Sequence, residues 1–188
     1  MYMGNWKDTS EEDKKKFSDN GYAITYGELT LDGLTKIMNH DLDDPNDLND
    51  KVFVDLGSGN GNVVINVIKN FEGLYKGIGI ELSKTRYNTA IEKLKGESKE
   101  IQKKIHFSCN DILDDGFHYS DFDIIYISNL CFSDEVNKKI TNKITSECKE
   151  NTRIFCSKQL IGIEPDGVFD VKQTWTNKSN INYYKIKK

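Results

Sequence analysis

The run Val52 to Asn62, V-F-V-D-L-G-S-G-N-G-N, carries the clearest chemical signal in the chain. Its glycines, Gly57, Gly59 and Gly61, leave a predicted strand and open a predicted helix. Glycine lets the backbone turn sharply and approach a ligand, and a helix N-terminus offers unpaired N–H groups. Three cofactor classes compete for such a loop. A nucleoside triphosphate fits poorly, because the G-K-[ST] ending of a P-loop is absent and no lysine would reach the phosphates. A dinucleotide fits in part. However, the third glycine comes one residue early, at Gly61, and Asn62 fills the usual place. Asp55 separates the candidates. A carboxylate at the carboxyl end of the strand would repel a pyrophosphate and suit a ligand with a cationic amino-acid end, such as S-adenosylmethionine. One such contact is worth on the order of a few kcal/mol before desolvation is subtracted.

Two further acids follow at strand ends. Glu81 closes Lys76-Gly77-Ile78-Gly79-Ile80-Glu81 and is placed to accept hydrogen bonds from both ribose hydroxyls, a role shared by NAD and S-adenosylmethionine proteins. Asn110-Asp111-Ile112 follows the third strand; Asp111 would accept the adenine amino proton while Ile112 packs on the ring. An Asn-Asp pair there is also a common turn. Asp55, the glycines, Glu81 and Asp111 in this order favour the cofactor reading.

The elements that must position these residues alternate. Val52–Val54, 75–80, 105–109, 122–127 and 153–157 read as strands, and 63–71, 83–94, 99–104 and 133–149 as helices. Ser83 caps the second of these helices. Ahead of them, Ser10 with Asp13 and Lys14-Lys15-Lys16-Phe17 predicts a short capped helix, and Glu28 to His40 shows near-helical apolar spacing. Residues 41–50 read as an acidic loop. The end breaks the pattern: 171–176 and 181–187 are strand-like, joined by Asn177-Lys178-Ser179-Asn180, and predict an antiparallel hairpin at a sheet edge. The expected fold is α/β: a Rossmann-like class I methyltransferase layout with a mostly parallel central sheet, a C-terminal antiparallel hairpin and helices on both faces. Residues 1–22 are expected to be an N-terminal arm and 23–188 the catalytic domain.

Composition narrows the classes. At 188 residues the chain suits one domain, and nine Tyr, nine Phe and two Trp argue against disorder despite 30% charged residues. No apolar run is long enough to span a bilayer, and residues 1–20 lack the apolar core of a secretion signal. The net charge of −4 argues against a tight generic nucleic-acid binder, leaving such contact weak or indirect. Of 26 basic side chains only Arg86 and Arg153 are arginine. Cys109, Cys131, Cys148 and Cys156 show no C-x-x-C spacing and do not pair with histidines. No metal is therefore expected, and the thiols point to an intracellular, reducing compartment, the nucleus included.

At this point the sequence resembles the disruptor-of-telomeric-silencing family, the non-SET histone-lysine methyltransferases. Four blocks carry the likeness: Tyr26-Gly27-Glu28-Leu29-Thr30; Val54 to Val64; Tyr126-Ile127-Ser128-Asn129-Leu130-Cys131-Phe132-Ser133-Asp134-Glu135; and Trp175-Thr176 with Tyr183-Tyr184. They span Tyr26 to about Lys185. The resemblance implies S-adenosylmethionine as methyl donor and a protein lysine as acceptor, with histone or nucleosome as the leading partner. It implies that Tyr26, Glu28 and Leu29 form a loop over the donor's methionine end. It implies further that Glu81 is the ribose acid, that Asp111 and Ile112 contact adenine, and that Tyr126 is an aromatic near the adenine. The family's N-N-F-x-F channel block becomes Ser128-Asn129-Leu130-Cys131-Phe132 here. Its first Asn is Ser128 and its first Phe is Leu130. Only residues 1–23 precede the first block, and the family's basic tail is reduced to Lys185, Lys187 and Lys188. The likeness thus supports the chemistry further than it supports nucleosomes as substrate.

The expected reaction is in-line methyl transfer to a neutral amine. A lysine with a free pKa near ~10.4 must first lose its proton, and an apolar channel lowers that value by desolvation. Leu130, Phe132, Trp175 and Tyr183 are the candidate channel walls, with Ser128 or Asn129 orienting the amine; aromatic faces also attract the sulfonium. No general base is required, since positioning supplies most of the effect. Blander roles stand beside these: Trp175 and Tyr183 as cross-strand core pairs, Phe132 as a hydrophobic staple, Glu28 as a first-turn residue. Methylation of a non-histone protein, RNA or small molecule, and noncatalytic donor binding, are the alternative functions.

Overall fold

The hydrophobic runs from Val52 onward form the strands of one seven-stranded sheet. Helices α1 (Glu11–Asp19) and α2 (Leu31–Met38) precede β1 (Val52–Leu56), α3 (Asn62–Asn70), β2 (Lys76–Ile80), α4 (Lys84–Lys95), α5 (Lys99–Lys104) and β3 (Ile105–Ser108). Then come β4 (Ile124–Ile127), α6 (Asp134–Glu147), β5 (Arg153–Cys156), β6 (Gly167–Gln173) and β7 (Thr176–Lys185). The computed structural model describes residues 9–22, 27–174 and 176–188. Tyr26 and Trp175, both expected at the site, lie outside the described residues. The strand order is β3-β2-β1-β4-β5-β7-β6; β1 to β5 are parallel and β7 runs antiparallel to both β5 and β6. The expected α/β class and terminal hairpin are both present.

Short strands that are apolar at every position can be buried only if both faces are covered. Every residue of β4 and of β5 is buried, and alternation sends them to opposite cores. Phe53, Ile124, Tyr126 and Phe155 join α2 and α3 on one face. Val54, Ile125 and Ile154 join the Val136, Ile140 and Ile144 stripe of α6 on the other. Ser133 caps that helix by accepting from the Val136 N–H at 3.3 Å. Replacing the fully buried Ile140 with Ala should cost about 2–5 kcal/mol.

Two element boundaries differ from expectation, each with consequences. The hairpin reverses between Gln173 and Thr176, which are register partners, so Asn177 to Asn180 lie within β7 rather than in the turn. The polar residues there pair along the β6–β7 ribbon, with Asn177, Lys178 and Asn180 exposed and Ser179 buried, its Oγ accepting from Gln173 Nε2 at 3.0 Å. Helix α2 starts at Leu31, not Glu28, because Thr30 caps it, its hydroxyl accepting from the Gly33 N–H at 3.2 Å. Glu28 is thereby left outside the helix. Residues 28–30 instead lie against the end of β6: the Thr174 N–H donates to Glu28 O at 2.8 Å, and Leu29 bridges Gln173.

Helix α1, on the expected N-terminal arm, packs into the second core through Phe17. Its Asp13 is buried and accepts from Ser83 Oγ at 2.8 Å, the Lys84 N–H at 3.0 Å and the Thr85 N–H at 3.1 Å. An acid on α1 thus caps α4, where unpaired donors and the helix dipole favour negative charge.

Candidate active site

In an open α/β sheet, ligands bind beyond the carboxyl ends of the strands where the strand order reverses. Here that point lies between β1 and β4. A cavity open to solvent at its mouth lies there. Glu28, Asp55, Gly57, Ser128 and Phe132 line it together with Glu81, Ile112, Phe17, Tyr22 and Arg86. Tyr126, the register partner of Asp55, lies beside that acid.

The loop after β1 favours glycine at its turns, by backbone conformation at Gly57 and by conformation and close packing at Gly61. Gly57 adopts φ +92, and a Cβ there would project to within 3.7 Å of the Phe132 ring. Gly61, at φ +76 before α3, would place a Cβ 2.6 Å from Phe107 and 2.8 Å from Ala90. Neither backbone is one that an L side chain adopts readily. The first glycine keeps the cavity open; the third lets α3 approach the sheet closely.

The acids in the cavity are held differently. Glu81 is gripped at both oxygens, by the Gly59 N–H at 2.7 Å and the Ser83 N–H at 2.8 Å. Burial raises its pKa, opposed by Arg86 and by those backbone donors. Asp55 is 3% exposed, and among the described residues its Oδ1 has no hydrogen-bond partner. Burial pushes its carboxyl well above the ordinary range, and Glu81 and Glu28 push it further. A buried acceptor left unpaired costs free energy that a donor in the cavity would recover. A cationic amino group is the donor that answers both the missing bond and the charge. Ser58 Oγ and Tyr126 Oη are likewise buried without partners among the described residues. The unpaired acid, with Glu81 and Glu28 near it, fits a ligand with a cationic head better than a polyphosphate.

Most residues singled out by the sequence converge here, some at one remove. Glu28, Asp55, Gly57, Glu81, Ile112, Tyr126, Ser128 and Phe132 line the cavity. Gly59 acts through Glu81. Asn62 acts through Glu28: its Nδ2 donates to both carboxylate oxygens, at 2.7 and 2.8 Å, while Lys93 Nζ donates to its Oδ1 at 2.7 Å. Asp111 receives the Tyr22 hydroxyl at the cavity edge. Tyr126 stands beside Asp55 on the strand ends, in the cavity that Ile112 also lines.

Four others are placed elsewhere. Asn129 is 0% exposed and fully engaged. Its Nδ2 donates to Asn137 Oδ1 at 2.7 Å and Lys158 O at 3.0 Å, and its Oδ1 accepts from the Lys158 N–H at 2.7 Å. Asn137 in turn donates to Phe132 O and Ser133 O, both at 3.0 Å. Asn129 therefore anchors the loop, and Ser128 is the polar side chain that the loop turns to the cavity. Leu130 is 45% exposed on the same loop and does not line the cavity. Leu29 is a core residue of the α2 face. Tyr183 also falls on that face, stacked 5.1 Å from Phe155, with its hydroxyl donating to Asp41 Oδ2 at 2.6 Å. Tyr183 does not line the cavity, so the geometry places it in the core rather than at the expected catalytic position.

The sequence reading missed Phe17, Tyr22 and Arg86. One signal was present: a chain that uses lysine almost throughout keeps arginine at two positions. Arg153 is buried and donates to Met38 O and His40 O. Arg86 lines the cavity 5.2 Å from the Phe17 ring and is attracted by Glu81 and Asp13. Guanidinium is more weakly hydrated than ammonium and stays charged, which suits such positions. Among the described residues no group of acids, cysteines and histidines is arranged to hold a metal, and no helix is long and apolar enough to cross a membrane.

A family profile described as "Histone methylation protein DOT1" matches residues 9–188. No curated protein matches the chain. Among solved structures, the YcgJ protein from Bacillus subtilis is 17% identical with a TM-score of 0.52, covering 66% of this chain and 49% of its own. A geranyl diphosphate methyltransferase in complex with SAM is 14% identical with a TM-score of 0.53, covering 65% and 46%. A putative sarcosine dimethylglycine methyltransferase from Galdieria sulphuraria is 13% identical with a TM-score of 0.50, covering 59% and 40%. At this identity the likeness establishes a shared Rossmann-like fold, and the matched region spans less than half the length of these three structures.

Proposed function

The chain belongs to the DOT1 histone methylation family, and from that premise we propose that it transfers a methyl group from S-adenosylmethionine to a protein lysine, with a histone as the leading substrate. The observation that carries this reading is the buried, unpaired Asp55 oxygen at the end of β1, in a cavity shared with Glu81 and Phe132. The donor, when bound, supplies an electrophilic methyl on a sulfonium. Asp55 would hold the ammonium of its amino-acid end, and Glu81 the ribose hydroxyls. Asp111 would take the purine amino group, and Ile112 would pack against the ring. Glu28, fixed by Asn62, would border the methionine end.

On the acceptor side, Ser128 and Phe132 flank the same space. Phe132 offers an aromatic wall beside Gly57, and desolvation there favours the neutral amine. The Ser128 hydroxyl would orient that amine, in place of an amide. Asn129 holds the loop in register and takes no part at the reacting atoms. A histone acceptor would put the reaction in the nucleus. Phe17 and Tyr22 give the expected N-terminal arm a share in the cavity.

Radiolabelled methyl transfer tests the proposal, with nucleosomes, free histones and total lysate as acceptors and mass spectrometry of the product. Label on a histone lysine supports it. Label confined to RNA or to a small molecule rejects the lysine reading, and donor binding without transfer to any pool rejects catalysis.

A further inference from the structure

Resting on the donor reading above, we propose that Tyr22 is a positioning residue for cofactor recognition: its phenol orients Asp111 so that the free carboxylate oxygen selects an amino-bearing purine. Tyr22 Oη donates to Asp111 Oδ1 at 2.8 Å, and the Leu113 N–H donates to the same oxygen at 2.9 Å. Both bonds fall on Oδ1. Among the described residues, Oδ2 is left to accept from a ligand beside Ile112. A carboxylate held by two donors on one oxygen cannot swing freely about its terminal torsion, so Oδ2 keeps one direction.

The structure holds Tyr22 firmly enough for this task. Its backbone bridges Phe132 in antiparallel fashion, the Ser133 N–H donates to Gly21 O at 3.1 Å, and the Tyr22 N–H donates to Phe17 O at 2.9 Å. The ring meets Phe132 edge-on at 4.9 Å. Helix α1, which leads to it, is pinned through Asp13 to the start of α4. Burial and the neighbouring Asp111 raise the phenol's pKa, so it stays protonated and donates at any working pH. A phenylalanine would fill the same space and make the same ring contact. The hydroxyl therefore serves Asp111, not the packing.

The test is calorimetry with S-adenosylhomocysteine and with S-inosylhomocysteine, in which an oxo group replaces the purine amine. Wild-type protein should prefer the adenosyl ligand. Tyr22→Phe should weaken adenosyl binding by about five- to tenfold, the loss of one charge-assisted hydrogen bond's worth of orientation, and inosyl binding by less than about twofold. In an Asp111→Ala background, Tyr22→Phe should have no further effect on either ligand. Equal losses for both ligands, no loss for either, or an undiminished effect in the Asp111→Ala background would each overturn the proposal. Failure of the unsubstituted protein to bind S-adenosylhomocysteine overturns the donor reading itself, and is told apart because it needs no substitution to appear.

Discussion

Asp55→Asn should stabilise the ligand-free protein while abolishing its response to cofactor. In the folded chain Asp55 is 3% exposed, has an unpaired oxygen among the described residues and faces the charges of Glu81 and Glu28, so burial first and those acids second raise its pKa. In the unfolded chain it titrates near ~3.9. Below that pH both states are protonated and the raised value costs nothing. Above it the folded state retains a proton that the unfolded state releases. Stability then falls by about 1.4 kcal/mol per pH unit, until the pH passes the folded-state value. Asparagine has the shape and neutrality of the protonated acid, so the substitution removes this slope and keeps the packing. Thermal unfolding without ligand, from about pH 4 to about pH 8, should show variant and wild type converging at the acid end and separating as pH rises. Each kcal/mol corresponds to about 2–4 °C in Tm for a chain of this size. At about a hundredfold excess of S-adenosylhomocysteine over its Kd, wild type should gain about 2.7 kcal/mol and the variant almost none. A gap that does not vary with pH, or a ligand response kept by the variant, would refute the assignment of Asp55.

Four other substitutions probe the parts around it. Asp13→Ala removes the cap on α4 and should cost about 1–2 kcal/mol by thermal melting. Although burial raises the pKa of Asp13, its hydrogen bonds prevail and hold it low. The cost should therefore be full above the ordinary carboxylate range and vanish as pH falls through the folded-state value; a cost that persists in acid contradicts the capping role. Gly57→Ala puts a side chain at φ +92 facing Phe132 and should cost about 1–2 kcal/mol and the ligand-induced Tm shift, whereas an alanine variant that binds normally would mean the cavity floor lies elsewhere. Asn129→Ala strips the side-chain partner from Asn137 Oδ1 and from the Lys158 backbone N–H and C=O, and should destabilise by about 2–3 kcal/mol in urea unfolding, a value near zero excluding it as the loop's anchor. Tyr183→Phe breaks only the bond to Asp41 and should lower stability by about 1 kcal/mol with methyl transfer retained; lost turnover at unchanged stability would return Tyr183 to the site.

Local chemistry was legible in the sequence wherever one short segment carried the whole signal. The glycine loop with Asp55, the acid after β2 and the alternation of strands and helices are of this kind. Each depends on backbone geometry within about ten residues, and strand ends of a parallel sheet gather at one edge whatever lies between them. The class of fold followed from that, and so did the cavity-lining positions of Asp55, Gly57, Glu81 and Ile112; Glu28, Tyr126, Ser128 and Phe132 were reached only through the family resemblance.

What lay beyond reach depended on which way a side chain faces and on contacts between distant segments. Tyr183 and Tyr184 are adjacent in the chain, and sequence does not tell which core each one enters; pairing with β5 sends Tyr183 toward Phe155 and Tyr184 into the second core, and neither lines the cavity. Ser128 and Asn129 are the same case: one turns to the cavity, while the other is drawn inward by Asn137 and by Lys158, 29 residues on. Thr30 ends the segment that carries Glu28, and bonds to the distant Lys172, Thr174 and Asn62 hold that segment and the Glu28 carboxylate in place. Tyr22 meets Asp111 across a separation of 89 residues. Such meetings are paid for by burial of the whole core rather than by any local preference, and so only the folded chain decides them.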